Sequence, residues 1–204
     1  MLKMFGKMLD RNKKGFTLIE LLIVVAIIGI LAAVGASVIP NLLTNAKIKC
    51  ATANHQEIWN TLKTKAFACS AGIDVTYGPM YQRTPNTITL QCSKNTTGPS
   101  GNHYYTADNH AYYLYLEGRE TIKSCYETSI STFSGGNKGK GWSNGNCNIP
   151  NTNIDLGQSV LGYNGNPYLC GGHGGDNACL KTNIGDKNGN DNFLYNIIDV
   201  CQLN

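Results

Sequence analysis

From Phe16 to Ile39 the chain runs 24 residues with one ionisable side chain, Glu20, inside KKGFTLIELLIVVAIIGILAAVGASVIP. A helix rises about 1.5 Å per residue, so about 20 apolar residues are enough to cross a bilayer. The run predicts a membrane-spanning helix over 16–39. Lys3, Lys7, Arg11, Lys13 and Lys14 precede it against a single acid, Asp10. That excess holds residues 1–15 in the cytoplasm and sends the rest outside. Beyond residue 15 the basic and acidic side chains balance. The pI of 8.6 therefore reports the N-terminus and not a basic face, and nucleic-acid binding is not indicated.

Glu20 is the residue that a plain anchor does not explain. A carboxylate near the membrane interior costs a few kcal/mol unless it is protonated or paired. No Lys, Arg or His lies between Phe16 and Ile39. Cutting after Gly15 would create an α-amine on Phe16, four residues from Glu20. The amine could come from the same chain or from a neighbouring copy. In the second case the costly acid becomes a docking device, fully paired only in an assembly.

Lys13-Lys14-Gly15-Phe16-Thr17-Leu18-Ile19-Glu20, continued through Leu21 to Ala33, closely resembles the class III signal of type IV prepilins and type II secretion pseudopilins. The resemblance covers about the first forty residues. It implies cleavage between Gly15 and Phe16 by an aspartyl prepilin peptidase and N-methylation of Phe16. It also implies that Glu20 governs subunit addition and bears on methylation. The fold it implies is α+β, the type IV pilin fold: a long N-terminal α-helix packed on an antiparallel β-sheet head with disulfide-stabilised loops. The partners it implies are other copies in a helical filament, the peptidase, and an inner-membrane assembly platform with its ATPase. The bacterial precursor would be a single-pass inner-membrane protein with a periplasmic head, and the assembled form a cell-surface filament. In that family a helix-kinking proline often stands slightly earlier than Pro40; here Gly29, Gly35 and Pro40 are the expected soft points.

Four segments follow: a leader over 1–15, the membrane or filament-core helix over 16–39, an amphipathic continuation over 40–71, and a β-rich head over 72–204. Leu43, Ala46, Cys50, Ala53, Ile58, Leu62, Ala66 and Cys69 recur at three- to five-residue steps, which predicts one helix face, with Gly72 as its stop. The predicted strands are Thr87–Cys92, His110–Glu117, Thr121–Ile130 and Phe193–Cys201. From Phe133 to Asp191 Gly and Asn dominate, periodicity vanishes, and a long exposed loop region is expected.

The eight cysteines, Cys50, Cys69, Cys92, Cys125, Cys147, Cys170, Cys179 and Cys201, all follow the apolar run and contain no CxxC pair. Disulfides in an oxidising compartment are the expectation. On one continuous helix Cys50 and Cys69 stand about 28 Å apart, too far to pair, so each should staple the helix to the head. Cys170–Cys179 is the most local pairing, Cys125–Cys147 would close STFSGGNKGKGWSNGN, and Cys92 and Cys201 are left for the helix.

DKNGNDNF offers Asp186, Asn188, Asn190 and Asp191 as oxygen ligands in a turn. Calcium is the ion such a set suits, although the glycine is early for an EF-hand and the bidentate acid is missing. The simpler reading is an Asn/Gly turn with no cofactor. His173 in GGHGG, with Cys170 and Cys179, is a second metal candidate weighed against a plain disulfide. His55, His103 and His110 are explained by packing or exposure. The tyrosines and Trp142 could stack on sugars or bases but fit strand faces and core. Asn95-Thr96-Thr97 matches a glycosylation acceptor, which says little in a bacterial chain. No nucleophile–base order or phosphate loop stands out, so no enzyme activity is expected. Two alternatives stand beside the pilus subunit: a type II secretion pseudopilin, and a secreted disulfide-rich binding protein or enzyme whose mature chain begins near Ser37 after a plain signal peptide.

Overall fold

The computed structural model describes residues 15–92, 107–127, 129, 131–133, 142–143, 147, 149–151, 154–164 and 177–199. The architecture is α+β. Helix α1 spans Leu18–Ser70, followed by β1 (Val75–Tyr77), β2 (Ile88–Leu90), α2 (Ala107–Thr121), β3 (Trp142–Ser143), β4 (Ser159–Asn164), β5 (Asn177–Asn183) and β6 (Phe193–Asp199). The chain divides into two compact units, Met1–Leu42 and Leu43–Asn204.

In the second unit α1 ends as the sequence predicts. Gly72 adopts φ 77°, its N–H reaches the Cys69 carbonyl, and the Ile73 N–H reaches the Ala68 carbonyl, both at 3.0 Å. This is a Schellman stop with glycine where a left-handed residue is required. The stripe that α1 buries is Ala51, His55, Ile58, Leu62, Ala66 and Cys69. The predicted face is met at the last four of these. Further toward the N-terminus it is not: Ala53 is exposed, and His55 takes a core position one turn before Ile58.

Two sheets lie among the described residues of this unit. β1 and β2 pair antiparallel, with Val75 opposite Leu90. The larger sheet has the order β3-β4-β5-β6, in which β3 runs parallel to β4 and the other pairs are antiparallel. Ile58, Leu62 and Ala66 of α1 share one core with Tyr77, Leu90, Leu114, Phe133, Leu161, Ala178 and Leu180. A satellite cluster joins Cys147, Ile149 and Ile154 to Val160 of β4 and Cys179 of β5.

Three predicted elements are corrected. His110–Glu117 is not a strand but the middle of α2. His110, Ala111, Leu114, Leu116 and Gly118 are buried, and the adjacent pair His110–Ala111 followed by Leu114 and Gly118 at three- and four-residue steps is a helical spacing. The tyrosines between them carry high β-propensity, but burial against β4 and β5 decides. Gly118 has no Cβ, and the Phe133 ring occupies that space. Thr121–Ile130 is not a strand either; only a Lys123–Ser131 bridge forms there among the described residues. The Lys123 carbonyl instead accepts from Asn54 Nδ2 at 2.9 Å, and Ser124 Oγ accepts from the Tyr126 and Glu127 amides. The expected loop over 133–191 contains β4 and β5. Ser159, Val160, Leu161 and Gly162 are all buried, so the period-2 signal of a half-exposed strand is absent.

The disulfides differ in part from expectation. Cys50 pairs with Cys125, Cys69 with Cys92, and Cys147 with Cys179. Both helix cysteines thus bind segments distant in sequence, as the helix rise requires, and Cys92 is one partner. Cys125–Cys147 and Cys170–Cys179 do not form, because Cys125 meets Cys50 on α1 and Cys179 on β5 meets Cys147. Cys50 is taken by Cys125, so it does not pair with Cys201. Cys170 and Cys201 lie outside the described residues.

His110 is fully buried with Nδ1 2.6 Å from the Tyr77 hydroxyl. Burial, and secondarily Lys65, lowers its pKa from 6.5 to about 4. The unfolded chain binds this proton below pH 6.5 and the folded chain resists it until about 4, so stability falls as pH drops through that window. Between pH 7 and 4.5, denaturant titration of wild type should show roughly 2–3 kcal/mol more loss than His110→Gln. Equal losses would refute the assignment.

Candidate functional site

The N-terminal unit is built on one chemical contrast. Residues 15–17 are non-helical, and α1 starts at Leu18. Thr17 caps it. Its N–H and its hydroxyl both donate to Glu20 Oε2, at 2.8 and 2.9 Å, and the Glu20 amide donates back to Thr17 Oγ1 at 3.3 Å. This reciprocal pattern is a capping box. Its T-x-x-E signature is visible at Thr17-Leu18-Ile19-Glu20, yet the sequence reading gave Glu20 only an amine partner. The box sets the helix start two residues beyond the Gly15–Phe16 peptide, which stays in non-helical backbone. Both side-chain bonds end on one carboxylate oxygen, and an ionised carboxylate accepts about four, so capping leaves Glu20 capacity for a further donor.

Beyond the cap the helix is apolar on every side. Phe16 and Leu18 are each 88% exposed, and Ile19, Leu21, Leu22, Ile23, Val24, Val25, Ile27 and Ile28 are all about half exposed or more. So much contiguous apolar surface marks a membrane or partner contact. By length and composition α1 is able to cross a membrane. It is helical through Gly29, Gly35 and Pro40, the expected soft points. Around the proline, Ser37 Oγ donates to the Val34 carbonyl at 3.0 Å, and Asn41 Nδ2 donates to the Ser37 carbonyl at 3.4 Å.

The other candidates resolve into structural roles or fall outside the described residues. Asp186 Oδ1 accepts from the Asn188 and Asn190 amides, both at 2.8 Å, and Oδ2 accepts from Asn190 Nδ2 at 3.0 Å. These bonds, led by those from Asn190, hold its carboxyl below the usual range. Asp191 Oδ1 instead accepts from the buried Asn183 Nδ2 at 2.7 Å. The segment is thus an Asx-type turn hung on Asn183, with both Asp186 oxygens and Asp191 Oδ1 accepting from N–H donors. Among the described residues, no three His, Cys, Asp or Glu side chains come together to hold an ion. His103, His173 and Asn95-Thr96-Thr97 lie outside the described residues.

A family model described as a prokaryotic N-terminal methylation motif matches residues 10–36. The N-terminus of this chain is a methylation-type, pilin-like signal segment. It includes Gly15, Phe16, Thr17 and Glu20, the residues around the capping box. The type IV wide pilus major component PilA4 of Thermus thermophilus is 73% identical over 37 residues, 18% of this chain. The match covers 26% of that relative, so the chain spans about a quarter of its length. No solved structure matches the chain. The likeness thus resides in the N-terminal segment, in a chain of α+β layout with three disulfides among the described residues.

Proposed function

We propose that this chain is the subunit of a type IV pilus or pilus-like filament. A prepilin peptidase cuts between Gly15 and Phe16 and methylates Phe16. Residues 1–15 stay cytoplasmic, residues 16–39 cross the inner membrane, and the disulfide-bonded head stands in the periplasm. An assembly platform and its ATPase extract the subunit into a helical filament, where neighbouring apolar helices replace lipid around residues 16–39. Glu20 then pairs with the Phe16 amine of an adjacent copy. The work is mechanical and adhesive, in attachment, motility or DNA uptake. The observation that carries this reading is a methylation motif placed on a helix exposed and apolar all round, interrupted only by Glu20. The pilus is favoured over a secretion pseudopilin because the matching relative is described as a major pilus component.

Gly15→Ser tests it. A Cβ at Gly15 would meet nothing within 4 Å, so the fold tolerates the change and the demand for glycine comes from the peptidase. The mature species should fall about a hundredfold, the scale on which a misplaced reacting bond slows catalysis, with precursor retained in the membrane. Normal processing and normal filaments would overturn the assignment.

A further inference from the structure

His55, on α1, is 3% exposed and engaged at both ring nitrogens. Nδ1 lies 2.8 Å from Thr182 Oγ1 on β5, and Nε2 lies 2.8 Å from the Asn196 amide on β6. The contacts continue inward. Ser159 Oγ on β4 is 2.8 Å from Thr182 Oγ1 and 3.4 Å from Thr132 Oγ1, and Thr132 Oγ1 donates to the Gly157 carbonyl at 3.1 Å.

Each hydroxyl and ring nitrogen could donate or accept. The ends of the chain fix the direction. The Gly157 carbonyl only accepts, and the Trp59 indole N–H only donates. With its nitrogen toward His55, the Asn196 amide donates to His55 Nε2 at 2.8 Å and to the Tyr195 carbonyl at 3.0 Å, while its oxygen accepts from Trp59 Nε1 at 3.2 Å. The reverse orientation sets oxygen against oxygen and N–H against N–H. Every proton therefore points one way: Asn196 to His55, His55 Nδ1–H to Thr182, then Ser159, Thr132 and Gly157.

We propose that this relay makes His55 a proton-controlled latch between α1 and β6. Neutral, as the Nδ1–H tautomer, His55 accepts from Asn196 and keeps Asn196 bonded to Trp59 and Tyr195. A proton on Nε2 opposes N–H to N–H, so the Asn196 amide must reverse, and both of those bonds are lost. Burial already disfavours the charged ring. Both ring nitrogens meet uncharged partners, Thr182 and Asn196. On α1, Lys63 sits over the Trp59 ring at 5.8 Å. On β5 and β6, Lys181 and Tyr195 donate to the Ile149 and Cys147 carbonyls, away from the relay. Tyr163, the titratable residue of β4, packs on the main core.

The test is an NMR pH titration of the isotope-labelled full chain in detergent micelles, from pH 7.5 to 4. The ring-nitrogen shifts of His55 should report the Nδ1–H tautomer at neutral pH. Hydrogen exchange of the Trp59 indole should then quicken about tenfold in step with His55 protonation, the scale of one lost hydrogen bond. Asn196→Asp accepts from both Trp59 and a protonated Nε2. It should raise the His55 titration by about one unit or more and leave Trp59 protected. An Nε2–H tautomer at neutral pH, or Trp59 exchange indifferent to His55 protonation, overturns the proposal using the wild-type chain alone. His110 gives separate signals and does not confuse the result.

Discussion

Glu20→Val is expected to leave the chain inserted in the membrane and to remove its filaments. Valine leaves the 16–39 segment without an ionisable side chain, so insertion becomes easier. Assembly suffers, because the Phe16 amine of the neighbouring copy then enters an apolar bundle without its anion. An unpartnered buried charge costs about 3–5 kcal/mol, and every 1.4 kcal/mol is a factor of about ten, so subunit incorporation should fall at least about a hundredfold. The substitution also removes the capping box, and Thr17→Ala separates the two effects. That variant loses the cap, worth about 1 kcal/mol, and keeps the carboxylate, so its filaments should form with a modest deficit. Shearing cells and quantifying the polymer by immunoblot reads both. Abundant filaments from Glu20→Val would sink the intersubunit pairing.

The largest stability effect should follow from opening the Cys50–Cys125 disulfide. The two residues are 75 apart in sequence, the widest separation among the bridges of the described residues. On loop-closure grounds Cys50→Ser with Cys125→Ser costs about 4 kcal/mol. Cys50 is exposed, so serine leaves no cavity in the core and the loss is that of the crosslink itself. The local damage should be graded. Cys125 precedes Tyr126, whose hydroxyl donates to the Ile184 carbonyl at 2.7 Å and whose ring fills the space beside Gly157 and Gly185. With the bridge gone, hydrogen exchange should rise first across 122–127. An unfolding free energy from urea titration in micelles that falls by less than about 1 kcal/mol would show that Asn54 and Tyr126 hold this segment without the disulfide.

How legible the molecule is from its sequence differs sharply between its parts. The N-terminal segment is legible because its physics is extreme: a bilayer-length apolar run with one acid admits few explanations. The Thr17–Glu20 box is equally visible in the T-x-x-E spacing, a second role for the acid beside its charge. The end of α1 at Gly72 follows from glycine alone. The head is another matter. Tyr112, Tyr113 and Tyr115 suggest a strand by propensity, whereas the helical spacing of His110, Ala111, Leu114 and Gly118 prevails once α2 has β4 and β5 to pack on. β4 and β5 are hidden for the opposite reason. Their residues are buried on both faces, so alternation is lost among the Gly and Asn around them. Cys92 is a helix partner, as expected, whereas Cys147 pairs with Cys179 on the missed β5 and Cys125 pairs with α1, where local spacing favours Cys125–Cys147 and Cys170–Cys179. His55 looked like an ordinary stem histidine because Thr182 and Asn196 reach it only through the sheet.

The measurement that tests the central claim most directly is the N-terminal residue of the mature protein, by mass spectrometry on material sheared from cells. The account predicts a chain beginning at N-methylated Phe16 in a sedimenting, polymeric fraction. A soluble chain beginning near Ser37 would contradict it and leave a secreted disulfide-rich domain instead.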